Sequence, residues 1–271
     1  MSLNILKRAG VLLLIKAPNH GEYQTMQRLY TRSYIIILLV TVIISFLSVQ
    51  VQADKKKYVW TIEYDTMPRG MAELEHYWTV KTPEFDRFSG NTTNELWLEL
   101  EVGMNDHWDM RFYQVFEQEP NESLDYKGFK IETRYRLGEV GSNPLDQLIY
   151  IEYKNRPDFS RHVLELKYVF SKDFGPWNIA FNPILEIEEG EDEGEDTEFV
   201  PEYALGISHE MNRLLSLGIE FKGSESGHYV GPTVSHGSGR FWFASGALFG
   251  YADIEDGKPE FQLRTIFGVK F

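Results

Sequence analysis

The sequence predicts an all-β fold in which twelve antiparallel strands form a membrane-spanning, up-and-down β-barrel. Three features predict it: segments of about ten residues with apolar side chains at every second position, clusters of Gly, Pro, Asn, Asp and Ser between them, and aromatic side chains near their ends. This alternation places one face of a strand in an apolar medium and the other in a polar one. A soluble β-sandwich also alternates, but with shorter strands and smaller core side chains.

Twelve segments carry the alternating pattern. In residues 129–137, for example, Phe129 and Ile131 share one face, whereas Lys130 and Glu132 share the other. The predicted strands are residues 71–82, 94–104, 107–118, 128–138, 145–155, 162–171, 177–188, 200–209, 214–223, 228–236, 241–252 and 260–271. An even strand number puts both chain ends on one side of the membrane. The connections expected to face outward are therefore residues 83–93, 119–127, 156–161, 189–199, 224–227 and 253–259.

A thirteenth strand-like piece, residues 58–64, precedes these segments. Thirteen strands do not fit a barrel with both ends in the periplasm. We therefore predict that residues 54–69 form a periplasmic lead-in outside the barrel, and that the barrel spans residues 70–271.

The N-terminal region has the layout of a secretory signal. Arg28 and Arg32 precede an apolar run at residues 34–49, and Val51-Gln52-Ala53 follows it. We predict a signal peptide at residues 26–53, cleaved after Ala53, and interpret residues 1–25 as an upstream extension that precedes the true start at Met26. A signal anchor is the alternative interpretation, because the apolar run is close to the length that spans a bilayer.

Composition narrows the possible functions. The 271 residues are 25% charged, 42% hydrophobic and 14% aromatic, with a mean hydropathy of −0.34. These values exclude a disordered chain and a bundle of transmembrane helices. A formal net charge of −14 argues against a nucleic-acid partner, which requires a basic surface. The absence of cysteine excludes disulfides, Cys-ligated zinc and a thiol nucleophile.

The last segment, FQLRTIFGVKF, ends on an aromatic residue and carries Phe267, Val269 and Phe271 on one face. Together with the signal segment and the repeated amphipathic strands, it resembles the Gram-negative outer-membrane β-barrel proteins, most closely the small porin-like barrels. The resemblance covers about residues 58–271. It implies location in the cell outer membrane and contact with lipid and lipopolysaccharide. It also implies that Phe267, Val269 and Phe271 are the assembly signal read by the barrel-assembly machinery.

The inward faces of the predicted strands are crowded with charged side chains. They could line a water-filled pore in which an acidic and a basic wall orient small charged solutes. They could equally form a ladder of ion pairs that fills the interior, since a twelve-stranded barrel allows either outcome. The predicted lumen-lining residues are Glu73, Glu75, Glu99, Glu101, Asp109, Arg111, Lys130, Glu132, Arg134, Arg136, Glu165, Lys167, Glu220 and Arg264.

One short motif suggests catalysis. In HGSGR, His236 and Ser238 resemble the His-x-Ser spacing of outer-membrane phospholipases. A serine nucleophile also needs a group that orients its histidine. The next segment offers no Asn, and the motif reads as a Gly-flanked turn, so we predict no catalytic residue.

Metal sites are also not predicted. Nine acidic residues between Glu186 and Glu198 offer oxygen ligands for Ca²⁺ or Mg²⁺, but the spacing is not that of an EF-hand and acidic runs are usually solvated loops. The histidines are scattered without paired spacing. We therefore predict no metal and no cofactor. The sequence predicts a passive pore or small-solute channel with a charged lumen, with a lipid-modifying enzyme and a plugged structural or adhesion barrel as alternatives.

Overall fold

The computed structural model describes residues 7–8, 11–12, 55–85, 88, 90–189 and 196–271. The chain divides into two units, Met1–Val49 and Gln50–Phe271. In the first, the described residues are two short strands, Lys7–Arg8 and Val11–Leu12, which pair antiparallel. The predicted extension at 1–25 and signal peptide at 26–53 otherwise lie outside the described residues and stay predictions. In the described part of the chain, no helix has the length and apolar character needed to cross a membrane.

The second unit contains a closed barrel of twelve strands, which confirms the predicted fold class. Each strand pairs antiparallel with the next, and β12 pairs with β1 to close the barrel. The strands are β1 (Ala72–Thr82), β2 (Thr93–Asn105), β3 (Trp108–Gln118), β4 (Asp125–Leu137), β5 (Asp146–Asn155), β6 (His162–Phe174), β7 (Trp177–Glu188), β8 (Glu198–Asn212), β9 (Leu215–Ser224), β10 (Gly227–Ser238), β11 (Phe241–Ala252) and β12 (Phe261–Lys270).

The period-two pattern sorts the side chains as predicted. In β2, Leu98 and Leu100 are more than 40% exposed on the outer face, whereas Glu99 and Glu101 on the inner face are at most 2% exposed. The same sorting recurs around the barrel, so the outer wall is apolar and the buried interior is polar. Only an apolar medium outside makes this inverted distribution stable.

The two ends of the barrel differ in the length of their connections. We call the end where β1 begins and β12 ends the base, and the opposite end the top. At the base, four of the five connections are two-residue turns at 106–107, 175–176, 213–214 and 239–240, and the fifth spans 138–145. Gly175 and Gly239 adopt positive φ angles of 59° and 63° in two of these turns. The connections at the top span residues 83–92, 119–124, 156–161, 189–197, 225–226 and 253–260.

Residues 55–69, which we call the inner segment, run through the interior of the barrel and reach its base at the exposed residues Pro68 and Arg69. The backbone N–H groups of Val59, Trp60 and Thr61 donate to the Glu220 carboxylate of β9 at 3.0, 3.0 and 2.8 Å. The prediction of a lead-in outside the barrel is therefore wrong. The alternation in residues 58–64 reflects burial against the inner wall, because β12 already pairs with β1 and leaves no edge for a thirteenth strand.

The inner segment enters and leaves at the base. Lys55 packs against Gly237 near the end of β10, and the backbone N–H of Met67 donates to Asp109 at the start of β3, at 2.8 Å. Between these points the segment reaches Glu220, in the middle of β9. Asn182 of β7 pairs with the backbone N–H and C=O of Ile62 at 2.6 and 3.0 Å. Side chains of the barrel thus supply the partners that a neighbouring strand would otherwise supply.

Candidate functional site: the barrel interior

The structure places the predicted lumen-lining side chains inside the barrel or at its base. Arg136 lies at the base, where its guanidinium donates to the carbonyl oxygen of Asp106 at 2.9 Å. Three others, Lys130, Lys167 and Arg264, are partly buried against interior side chains. The buried members of the set are Glu73, Glu75, Glu99, Glu101, Asp109, Arg111, Glu132, Arg134, Glu165 and Glu220.

Acids and arginines on β2, β3 and β4 form a dense ion-pair cluster. Arg134 lies 2.6 Å from Glu101 and contacts both carboxylate oxygens of Asp109 at 2.5 and 2.9 Å. Arg111 lies 2.8 Å from Glu101 and 3.2 Å from Glu99. The expected acidic and basic walls therefore touch one another and do not face each other across water. In this part of the barrel the ion-pair ladder describes the interior.

Strand register explains these pairs. Glu101 lies directly opposite Arg111, and Asp109 lies directly opposite Arg134. Side chains opposite each other on neighbouring strands have Cβ atoms about 5 Å apart, so charges of opposite sign meet. The alternation in the sequence predicts that these residues face inward, but their partners depend on which strand neighbours which and in what register.

Three of the predicted lumen-lining acids form a carboxylate cluster beside these pairs. Oxygen atoms of Glu73, Glu75 and Glu101 lie within 4.8 Å of one another, close enough to share a cation. Lys56 of the inner segment contacts Glu75 at 2.5 Å and the Tyr77 hydroxyl at 2.7 Å. Since this ammonium already balances charge in the cluster, we assign no metal to it. Sequence analysis missed the contribution of Lys56, because Lys56 reaches the cluster only through the fold of the inner segment.

A brace closes the inner segment on itself. The Lys57 ammonium lies 2.7 Å from the Glu63 carboxylate, whose other oxygen accepts the backbone N–H of Lys57 at 2.8 Å. Burial favours the neutral amine, but the Glu63 carboxylate outweighs burial and raises the pKa of Lys57 above its ordinary value. The Lys57–Glu63 pair therefore closes a loop at residues 58–62, which we call the tip of the inner segment. The Tyr58 hydroxyl fixes this tip by donating to Asn178 at 2.8 Å.

Two cavities lie on opposite sides of the inner segment. The upper cavity, of about 340 Å³, extends from residues 58–62 to the top loop at Lys258 and Pro259. The lower pocket, of about 70 Å³, lies at the base beside Lys55 and Met67. Lys56, Thr61 and Ile62 line both. The inner segment thus lies at the boundary between the upper and lower parts of the interior.

The upper cavity is positively charged although the chain is acidic overall. Nine basic and four acidic side chains line it. A third cavity, of about 720 Å³, adjoins the upper cavity near β3 to β7 and shares Lys130 and Lys154 with it. Lys154 itself is paired with Glu165 at 2.9 Å and Glu186 at 2.5 Å. The top of the barrel therefore contains cavities that are lined by charged groups and are large enough to hold water, whereas the ion-pair cluster nearer the base is densely packed.

His236 and Ser238 do not form a catalytic pair. Both lie within β10, which continues two residues past its predicted end at His236, and both alternate with the inward-facing residues Ser235 and Gly237. The His236 ring packs on Phe243 at 5.8 Å between centroids. Among the described residues, no side-chain hydrogen bond joins His236 to Ser238 or to an Asn. The predicted turn is shorter than expected because Ser238 pairs with Phe241 of β11, which extends the strand pairing by two residues.

Two further predictions concern the acidic run and the C-terminal strand. Residues 190–195 of the acidic run are not described, so cation binding there stays a prediction; Glu186 and Glu188 at its start pair with Lys154 and Arg161. Phe267 and Phe271 are exposed on the outer wall near the base. The assembly signal at Phe267, Val269 and Phe271 stays a prediction.

Comparison with known proteins identifies the class of the fold. No protein-family model matches the chain, and no curated protein matches it. Among solved structures, an outer membrane channel from Pseudomonas putida F1 superposes with a TM-score of 0.61 at 12% identity, over 79% of this chain and 100% of that one. The fold is that of a Gram-negative outer-membrane β-barrel. At this identity the likeness shows the fold alone.

More distant matches belong to the same fold class. The NanC porin matches with a TM-score of 0.49 at 8% identity, over 74% of this chain and 98% of that one. Outer membrane phospholipase A from Escherichia coli matches with a TM-score of 0.44 at 11% identity, over 82% and 95%. A shared fold does not imply a shared function, so the function must be argued from the interior of this chain.

Proposed function

We propose that the protein is a passive outer-membrane pore for small charged solutes and that the inner segment forms its constriction. The observation that carries this proposal is the pair of cavities on opposite sides of residues 58–62. A barrel that serves only as a scaffold gains nothing from a charged cavity of about 340 Å³ beneath its top loops. The likeness of the fold to an outer membrane channel supports the same conclusion.

We propose that the exposed outer wall contacts outer-membrane lipid, and the top loops lipopolysaccharide. Large apolar side chains such as Leu74, Phe112 and Ile149 are exposed on this wall, as insertion in a bilayer requires. We further propose that the barrel-assembly machinery reads Phe267, Val269 and Phe271. These partners explain how an acidic chain reaches and remains in the outer membrane.

Planar-bilayer conductance of the purified protein tests the pore. The wild-type chain should show a small conductance, because the inner segment is anchored in the lumen by Glu220. Glu220→Gln replaces a carboxylate that accepts three N–H groups by an amide, and each lost charged hydrogen bond is worth about 1.5–3 kcal/mol. We therefore expect a larger conductance from Glu220→Gln.

Glu202→Gln is the matched control. Glu202 lies on β8 and lines the upper cavity, but it makes no hydrogen bond to the inner segment among those described. Its substitution should leave the size of the conductance near the wild-type value. Equal effects of the two substitutions would contradict the constriction, and absence of conductance from wild type and Glu220→Gln alike would contradict the pore.

The second candidate is a plugged structural or adhesion barrel. The inner segment favours it, because segments held by several buried hydrogen bonds do not move readily. This candidate predicts no conductance from either protein, together with envelope defects when the chain is deleted. A lipid-modifying enzyme finds no support in the placement of His236 and Ser238, and we expect Ser238→Ala to change no lipid-hydrolysis rate.

A further inference from the structure

Two basic side chains in the upper cavity lack acidic partners. The Lys222 ammonium lies 3.2 Å from the amide oxygen of Gln262, and within the described chain no carboxylate lies within 4.0 Å of it. Arg264 donates to the Thr79 hydroxyl at 2.9 Å and to the carbonyl oxygen of Val59 at 3.4 Å, again with no carboxylate in the described residues. Buried charges are normally paired, so two neighbouring cations without acids are unusual.

Nearby lysines and arginines show the ordinary arrangement. Lys167 lies 2.7 Å from Glu165, and Arg111 lies 2.8 Å from Glu101. Lys81, at the same level as Lys222, lies 2.5 Å from Glu95. These neighbouring acids therefore pair with other cations, and Lys222 and Arg264 are left without a carboxylate within 4.0 Å in the described chain.

Aromatic rings surround these two cations. The Arg264 guanidinium lies 4.6 Å from the ring centroid of Trp97 and 5.5 Å from that of Trp60. The Lys222 ammonium lies 5.4 Å from the Tyr229 ring and 6.0 Å from the Trp60 ring. Such contacts hold a cation in place without neutralising its charge. They leave the positive charge available to an anion and provide flat apolar walls beside it.

The same tryptophans carry unused hydrogen-bond donors. The indole N–H groups of Trp60 and Trp97 are buried and have no acceptor among the described residues, and both side chains line the upper cavity. A buried donor without an acceptor costs about 1–3 kcal/mol. A negatively charged hydrogen-bond acceptor in the cavity would therefore satisfy the two cations and the two indole donors together.

We propose that the upper cavity is a binding site for a small organic carboxylate, held by Lys222 and Arg264 between the tryptophan rings. A planar carboxylate matches the fork of an arginine guanidinium and accepts from several donors at once. The aromatic walls contact the apolar part of the same molecule. A volume of about 340 Å³ lies in the lower part of the range for small-molecule sites.

This site deepens the proposed pore by naming the chemical class of its solute, and its test does not depend on ion flow. Isothermal titration of the purified, folded protein in detergent with benzoate, benzamide and inorganic phosphate measures binding directly. Benzoate should bind, whereas benzamide, which has the same ring without the charge, should bind at least about tenfold more weakly. Equal binding of benzoate and benzamide would overturn the site, and equal binding of phosphate would overturn its assignment to an organic anion.

Variants locate the binding within the cavity. Lys222→Gln and Arg264→Gln should each weaken benzoate binding about tenfold or more, and Trp60→Phe, which keeps a ring but removes the indole N–H, should weaken it less. Lys154→Gln is the control, because Lys154 lines the same cavity but is already paired with Glu165. Equal weakening by Lys154→Gln would indicate that benzoate is attracted only by the overall positive charge of the cavity, and it would overturn the site.

The two proposals can fail separately. A protein that binds benzoate but never conducts supports the site and contradicts the pore. A protein that conducts but does not bind benzoate supports the pore and contradicts the site. Heat-modifiable migration on a gel confirms that each variant is folded before titration, and the comparison of benzoate with benzamide requires no variant.

Discussion

Two arginines on one strand illustrate how the same residue type takes different roles. Arg134 and Arg136 both face inward on β4 and look equivalent in the sequence. Arg134 is 4% exposed and contacts Asp109 and Glu101, whereas the Arg136 guanidinium contacts a carbonyl oxygen at the base and the exposed Glu139. Their depth in the barrel separates a buried ion pair from a peripheral one. Depth is set by the strand's position and not by residue type.

Substitution of these arginines should therefore act on stability to different extents. Arg134→Gln leaves Asp109 buried with an unbalanced charge, so we expect a loss of about 3–5 kcal/mol in the free energy of unfolding. Arg136→Gln removes an ion pair with the exposed Glu139 at the base, so the free energy of unfolding should fall by less than about 1 kcal/mol. Denaturant unfolding in detergent measures both, and equal losses would contradict the buried cluster. Since carboxylates already neutralise Arg134, we expect Arg134→Gln to change the ion selectivity of the pore little.

The inner segment is the element that distinguishes this interior from an empty barrel. Its tip fits against small residues of the wall: a Cβ at Gly206 would lie 2.5 Å from the Tyr58 ring, and a Cβ at Gly246 would lie 2.7 Å from Val59. Side chains at these positions would displace the tip. Glycine here makes space for the segment, and the backbone N–H groups of the tip reach Glu220 as a result.

A disulfide can test this placement. The chain has no cysteine, so Val59→Cys with Gly246→Cys introduces one possible pair. The close approach of Val59 to a Cβ at Gly246 suits the separation of about 3.5–4.5 Å between Cβ atoms that a disulfide requires. We expect the crosslinked peptide after non-reducing trypsin digestion and mass spectrometry. Val59→Cys with Gly175→Cys, at an open turn of the base, should give none, and similar yields from both pairs would refute the placement.

At the scale of the whole molecule, the barrel is asymmetric along its axis. Short turns, the two chain ends of the barrel and the two ends of the inner segment lie at the base. Long loops and the charged cavities lie at the top. In outer-membrane barrels short turns face the periplasm and long loops face outward. The organic-anion site proposed above would then be reached from outside the cell.

Epitope tags at two glycines should report this orientation. Gly257 lies in the last top loop and Gly175 in a base turn, and both have positive φ and open space around them. A tag inserted at Gly257 should be labelled by antibody on intact cells, whereas a tag at Gly175 should be labelled only after permeabilisation. The reverse result would mean that the barrel is inserted the other way round.

Much of the architecture could be predicted from local pattern. The alternation of apolar and charged residues determined the twelve strands, the apolar outer wall and the inward position of Glu99, Arg111 and Glu132, because strand geometry sends neighbouring side chains to opposite faces whatever the rest of the chain does. Strand ends shifted by up to three residues, as at β4, which begins at Asp125, and at β8, which continues to Asn212.

The contents of the barrel were decided by tertiary structure alone. Residues 58–64 alternate like a strand, yet closure of β12 on β1 leaves them no strand partner, and their backbone N–H groups bind Glu220 about 160 positions along the chain. Likewise, the sequence shows Lys222 and Arg264 as ordinary basic residues. Only the register of twelve closed strands assigns the nearby acids to other cations, because a charge can pair only with what the fold brings within contact distance.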